Sequence, residues 1–298
     1  MRRVGSPKSR RALAPYCWVM PSVIVIVGVM GYAFAKGFSI SLTKWNPFLN
    51  PTPVPVGLGN YVKLLSDPLF RHSVYVTVVF AAGSVGAEML LGMAGALMVQ
   101  KLRFLKGLVR TSMLIPMMLA PAIAGLIWKL FMDIDFGLLN YFLSLLGLPE
   151  IGWIADKTWV LPSVVLVDVW QWTPFVVLIL LAGLQSLPPE PYEAAEIDGA
   201  TRLQAFRYIT LPLMKRVIVI TLLFRTIFSL RAFDTIFLLA RGGGPGQNAL
   251  TLSMYLYERA YIPFHMGMAA TASYIILIIT LLITAVILGL THGAGSTE

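Results

Sequence analysis

The chain has 298 residues, 57% hydrophobic and 12% charged, with a mean hydropathy of +0.78; soluble domains carry about 25% charged residues, so a water-soluble globule is excluded. The 25 glycines and 19 prolines follow no fixed period, which excludes collagen, and the apolar content excludes disorder. The net charge of +9 lies beside apolar runs, where membrane topology uses it, and so argues for a lipid bilayer as partner and against nucleic acid.

In chain order, a basic tail over residues 1–15 precedes long apolar runs at 16–35, 73–99, 108–132, 158–184, 217–240 and 266–290. Each is long enough to cross a hydrocarbon core of about 20 residues, and none alternates in the manner of a barrel strand. Backbone groups in lipid must be satisfied internally, so helices follow. Arg2, Arg3, Lys8, Arg10 and Arg11 of the tail, Lys101, Arg103, Lys106 and Arg110 after the second run, and Arg202, Arg207, Lys215 and Arg216 after the fourth place these segments on one side. The expected fold is an all-α polytopic membrane protein with six transmembrane helices, both termini cytoplasmic. It is organised as tail 1–15, membrane domain 16–290 with a loop at 185–216, and tail 291–298. Ala33-Phe34-Ala35 resembles a signal cleavage site, but the apolar run before it is longer than the 7–15 residues or so of a signal core, so it is expected to stay.

The loop 185–216 is the most specified stretch. Pro188, Pro189 and Pro191 end the fourth span and open a new helix, with Glu190 and Glu193 early in it and Gly199 placed for a left-handed cap. Thr201 caps a second short helix, 202–209, which Pro212 is expected to end or bend sharply. The result is a cytoplasmic helix-turn-helix. Glu193 offers a carboxylate, Ala194 and Ala195 allow close approach, and Leu203 and Phe206 supply apolar anchors. The spacing fits a docking element and equally a helix lying on the headgroups.

Glu193-Ala194-Ala195, three residues, Gly199, nine residues, then Ile209, one residue and Leu211-Pro212 resembles the EAA signature of ABC-importer permeases. Gly57-Leu58-Gly59-Asn60-Tyr61, Asp135-Phe136-Gly137-Leu138-Leu139-Asn140, and Phe233-Asp234-Thr235-Ile236 with Gly242-Gly243-Gly244-Pro245 look like the sugar-permease branch related to the maltose transporter. Ala240-Arg241 departs from that branch's usual Thr before the glycines. The resemblance implies that the loop is a coupling helix seated in an ATPase subunit, through Glu193, Ala194, Ala195, Asp198, Gly199, Leu203, Phe206, Ile209, Leu211 and Pro212. It further implies a second permease subunit, two ATPase subunits and an extracytoplasmic solute-binding protein as partners, in a bacterial inner membrane. No cofactor is expected in this chain; ATP and Mg belong to the partner ATPases.

Glu88, Asp168, Arg225, Arg231 and Asp234 fall within apolar runs, where an ionisable group costs several kcal/mol unless it meets a partner or a watery cavity. Such groups lock helices together or line a path. Arg231 and Asp234 are three apart and are expected to pair on one helical face. Trp170, Gln171 and Trp172 beside Asp168, ahead of Pro174, suit a sugar with apolar C–H patches ringed by hydroxyls. With Arg225, Arg231 and Asp234 they form the expected pathway lining; Pro116 and Pro121 in the third span either contribute to it in the same way or only bend the span. Gly242 to Gly246 lacks the Lys-Ser/Thr ending of a phosphate loop, no catalytic set assembles, and no Cys/His cluster has metal spacing. The expected function is ATP-driven import of a carbohydrate, the chain itself not being an enzyme. The rival is a stand-alone ion-coupled carrier using Glu88 or Asp168.

Overall fold

The computed structural model describes residues 7–102 and 104–292. Arg2, Arg3, Arg103 and the tail beyond residue 292 lie outside them, as do the side chains of Lys8, Arg10, Arg11 and Lys106. In chain order the elements are α1 (Pro7–Ser41), β1 (Thr43–Asn46), β2 (Asn50–Pro55), α2 (Gly59–Ser66), α3 (Pro68–Lys101), α4 (Lys106–Met118), α5 (Pro121–Phe131), α6 (Leu138–Leu145) and α7 (Val160–Gln185). They continue with α8 (Glu190–Ile197), α9 (Arg202–Ala205), α10 (Leu211–Leu230), α11 (Asp234–Leu239), α12 (Leu252–Tyr261) and α13 (Met266–His292).

Helices dominate, but the fold is not all-α. β1 and β2 form an antiparallel hairpin with Thr43 opposite Pro55 and Lys44 opposite Val54. Prolines at 51, 53 and 55 are tolerated because a two-stranded ribbon leaves an edge where no N–H is needed.

Among the described residues four helices are long and apolar enough to cross a membrane: Val19–Ser41, Pro68–Lys101, Val160–Gln185 and Met266–Gly289. The expected third span is broken. Gly107–Met118 and Pro121–Phe131 meet at 91°, because Pro116 and Pro121 withdraw donors on either side of Leu119-Ala120. The expected fifth span is displaced toward the N-terminus: α10 runs from Leu211 to Leu230, then the chain leaves the helix at Arg231 and restarts at Asp234. Lys215, Arg216 and Arg225 put three charges into the 20 residues of α10, which sets it apart from the four long helices.

The chain divides into two compact units. In the one built from residues up to Leu64 with Arg259–Tyr274, Asn60 is buried and its amide donates to the carbonyls of Ser41 and Thr43, both at 2.8 Å. The Tyr61 hydroxyl meets Ser41 Oγ at 2.8 Å, and Thr271 Oγ1 donates to Ser41 O at 3.0 Å. The Gly-Leu-Gly-Asn-Tyr motif therefore ties down the turn after α1.

The second unit, Leu65–Glu258 with the chain from Ile275, is built around α3 against α7. A Cβ on Gly95 would stand 2.9 Å from Val177 Cγ2, so glycine is what lets these helices approach so closely. Two apolar clusters result. One gathers Phe80, Val160, Val164, Val167, Ile236 and Leu239; the other Ala96, Val99, Val176, Val177, Leu180 and Met214. Along α3, α7 and α10 the ionisable Glu88, Asp168 and Arg225 fall between them.

Candidate functional site

The loop after α7 forms two helices joined at a glycine. Pro189 caps α8, and Glu190 and Glu193 in its first turn face the positive end of the helix dipole. The exit closes with the Gly199 N–H on Glu196 O at 3.1 Å and the Ala200 N–H on Ala195 O at 2.9 Å, the paired bonds of a Schellman cap. Gly199 adopts φ +75°, which a Cβ would strain. Thr201 then caps α9 in a reciprocal box: Thr201 N–H donates to Gln204 Oε1 at 2.7 Å, and Gln204 N–H to Thr201 Oγ1 at 3.4 Å.

The helix does not end at Pro212, in contrast to expectation. A single wide turn over Phe206–Thr210, with the Leu211 N–H on Phe206 O, carries α9 directly into α10. An i→i−5 turn makes room for a proline ring that would otherwise strike the preceding carbonyl, so the chain continues instead of bending away. Nor was the tie between the two arms legible from spacing: the Tyr192 hydroxyl meets Thr210 Oγ1 at 3.0 Å. Glu193, Ala194, Asp198, Gly199, Leu203 and Pro212 are exposed, and Ala195, Phe206, Ile209 and Leu211 are half-buried. Ile197 and Leu203 stand 87% and 74% exposed, apolar surface without cover in the chain alone.

At mid-height of α3, α7 and α10 a buried charge clamp joins three helices. Arg225 donates through Nε to Glu88 Oε2 and through Nη2 to Glu88 Oε1, both at 2.5 Å, and through Nη2 to Asp168 Oδ2 at 3.0 Å. All three are at most 5% exposed. The fork of Arg225 matches a carboxylate bidentately and still reaches a second one, which a lysine cannot do. The guanidinium also lies 5.2 Å from the Trp172 ring, which stacks with Phe228. Sequence singled out all three ionisable residues but not their meeting; the signal available was two acids and one base, each alone in an apolar run.

The other polar candidates split. Gln171 is buried and its amide donates to Leu119 O at 3.0 Å, fixing the break between α4 and α5, while its Oε1 has no partner. Trp170 is half-buried, edge-on to Trp128 at 5.5 Å. Thr235 Oγ1 donates to Pro121 O at 3.2 Å, so α11 braces the same break. Arg231 and Asp234 do not pair: one ends α10 and the other begins α11, both exposed, because the helix face they were to share is interrupted between them. Among the described residues no cluster of His, Cys, Asp and Glu is arranged to hold a metal ion.

Residues 88–292 match the family described as binding-protein-dependent transport system inner membrane component. The chain belongs to this family. The permease is 39% identical to a probable ABC transporter permease protein of Sinorhizobium fredii, over 93% of this chain and 90% of the relative. It is 38% identical to a trehalose/maltose transport system permease protein of Thermococcus litoralis, over 84% of each. Its fold matches a chain of a bacterial alginate ABC transporter, solved in complex with an alginate pentasaccharide-bound periplasmic protein, with a TM-score of 0.82 over 97% of both chains at 22% identity. The family match, residues 88–292, spans α8, α9 and the three clamp residues.

Proposed function

We propose that this permease subunit imports a carbohydrate by alternating access, driven by ATP hydrolysis on partner subunits. The observation that carries the reading is the rigid, exposed α8–Gly199–α9 loop, continuous through α10 with the membrane bundle. A load applied at Glu193, Ala194 and Leu203 is transmitted along α10 to Arg225, and from there to α3 and α7. In this reading α1, α3, the bent α4–α5 pair, α7, α10 with α11, and α13 are the six crossings. Both termini and the α8 loop face the cytoplasm of a cell whose inner membrane holds the complex. α8 seats in one of two ATPase subunits that hold ATP and Mg, Glu193 meets a cation there, and a second permease and a solute-binding protein complete the assembly. Nucleotide and binding protein each favour a different state, which moves the equilibrium.

Carbohydrate as the solute is supported by the likeness to the trehalose/maltose permease and by the Trp170–Trp172 stretch of α7, the proposed lining, with Asp168 and Arg225 holding its shape and Arg231 and Asp234 at the mouth. A stand-alone ion-coupled carrier is disfavoured because Arg225 already occupies Glu88 and Asp168. Purified in mild detergent, the complex is expected to bring down an ATPase whose hydrolysis rises with solute-loaded binding protein. Glu193→Ala is expected to cut uptake by about tenfold or more, the loss of one charge-assisted contact, with membrane insertion unchanged. Ion-gradient uptake by this chain alone in vesicles would overturn the proposal.

A further inference from the structure

The eight-residue helix α6, at the end of α7 remote from α8, is built inside out. Leu138, Tyr141, Phe142 and Leu145 recur at i, i+3, i+4 and i+7, one helical face, and are 43%, 59%, 53% and 63% exposed. The inward side carries the polar Asn140, while Ser144 one turn on is exposed. Asn140 is buried; its amide donates to the carbonyls of Ile134 at 3.3 Å and Ile151 at 3.1 Å, and its Oδ1 accepts from Ile151 N–H at 3.2 Å and Trp153 Nε1 at 3.0 Å. Leu139 beside it packs on the apolar cluster around Val160. A soluble surface helix shows the reverse arrangement. With all four hydrogen-bonding positions of Asn140 used, the loop is held firmly, so the apolar face is presented by design of the fold.

We propose that α6 is an interfacial anchor, its apolar face seated in the lipid bilayer at the boundary of headgroups and acyl chains. Three observations favour lipid as the occupant. α5, half of the broken span, exposes Ile123, Leu126 and Leu130 at 51%, 52% and 60%, and α6 takes up that apolar stripe after a six-residue connection. The helix carries no charge, and no Lys or Arg lies between Lys129 and Lys157, so seating it desolvates no ion and needs no anionic lipid. Tyr141 combines a ring with a hydroxyl, the residue type favoured at headgroup level, while Asp135 and Glu150 on either side of α6 are exposed, which keeps the flanking loops at the water side of the boundary.

The inference rests on the membrane setting of the family and not on the solute or the motor. It is tested with the full chain in phosphatidylcholine nanodiscs, in a Cys17→Ser background, with nitroxide labels at Phe142→Cys, Leu145→Cys and Glu150→Cys read by collision with oxygen and with a water-soluble nickel chelate. Unchanged size-exclusion profiles establish that the exposed substitutions leave the fold intact. Labels at 142 and 145 are expected to favour oxygen several-fold, and the label at 150 to favour nickel. Equal nickel access at all three positions would overturn the proposal by placing α6 in water. Shielding of 142 and 145 from both reagents would overturn it by assigning the face to a second protein surface.

Discussion

Arg225 ties α10 to α3 and α7, because it satisfies a carboxylate on each of them in a buried site. Removing one member of such a group strands the others: Arg225→Met is expected to destabilise the protein by about 3–5 kcal/mol, measured as a lowered unfolding midpoint in detergent. Replacing the whole group with neutral side chains, Glu88→Gln, Asp168→Asn and Arg225→Met together, is expected to recover most of that loss, since well-packed neutral residues often match a buried ion pair. The three residues were conspicuous in the sequence as ions in apolar runs. Their meeting was not, because Glu88 lies 137 residues from Arg225 and no spacing rule reaches across three helices.

At the scale of elements, the junction of α9 and α10 decides whether the loop acts as a lever or a hinge. Pro212 sits just beyond the wide turn at Phe206–Thr210, and the turn exists to accommodate it. Pro212→Ala restores an N–H that can close a regular turn, so hydrogen exchange across 206–212 is expected to slow, consistent with a gain of about 1 kcal/mol or more. Gly199 works in the opposite sense: Gly199→Ala forces a Cβ into φ +75° and is expected to weaken the joint between α8 and α9 by about 1–2 kcal/mol, read as faster exchange in the same experiment. The caps of α8 and α9 were legible because capping chemistry is local. The continuation through Pro212 was not, since a proline reads as an end unless the ladder around it is known to have widened.

For the whole molecule, the broken third span and the three charges of α10, Lys215, Arg216 and Arg225, mean that among the described residues length and apolarity recover only four crossings, or five if the bent pair counts as one. Six crossings with both termini on the side of α8 remain the proposal, and side-specific labelling tests the part of it from the N-terminus to α8. Cysteines at Ser6 and Leu203 are expected to react with an impermeant reagent only from the cytoplasmic side, and one at Glu150 only from the opposite side. Reaction of Ser6→Cys and Leu203→Cys from different faces would require an odd number of crossings between them.

Composition and local pattern alone determined that the chain lives in lipid, that it is mainly helical, where its caps fall and which family it resembles, because hydropathy, capping and motif spacing are written in contiguous residues. The tertiary structure alone decided that Asn60 and Asn140 lock turns, that Gln171 and Thr235 brace a break in the third span, that Arg231 and Asp234 stand apart, and that Glu88, Asp168 and Arg225 form one buried group. These are contacts between segments distant in sequence, and their energies depend on burial and distance, which arise only when the helices have packed.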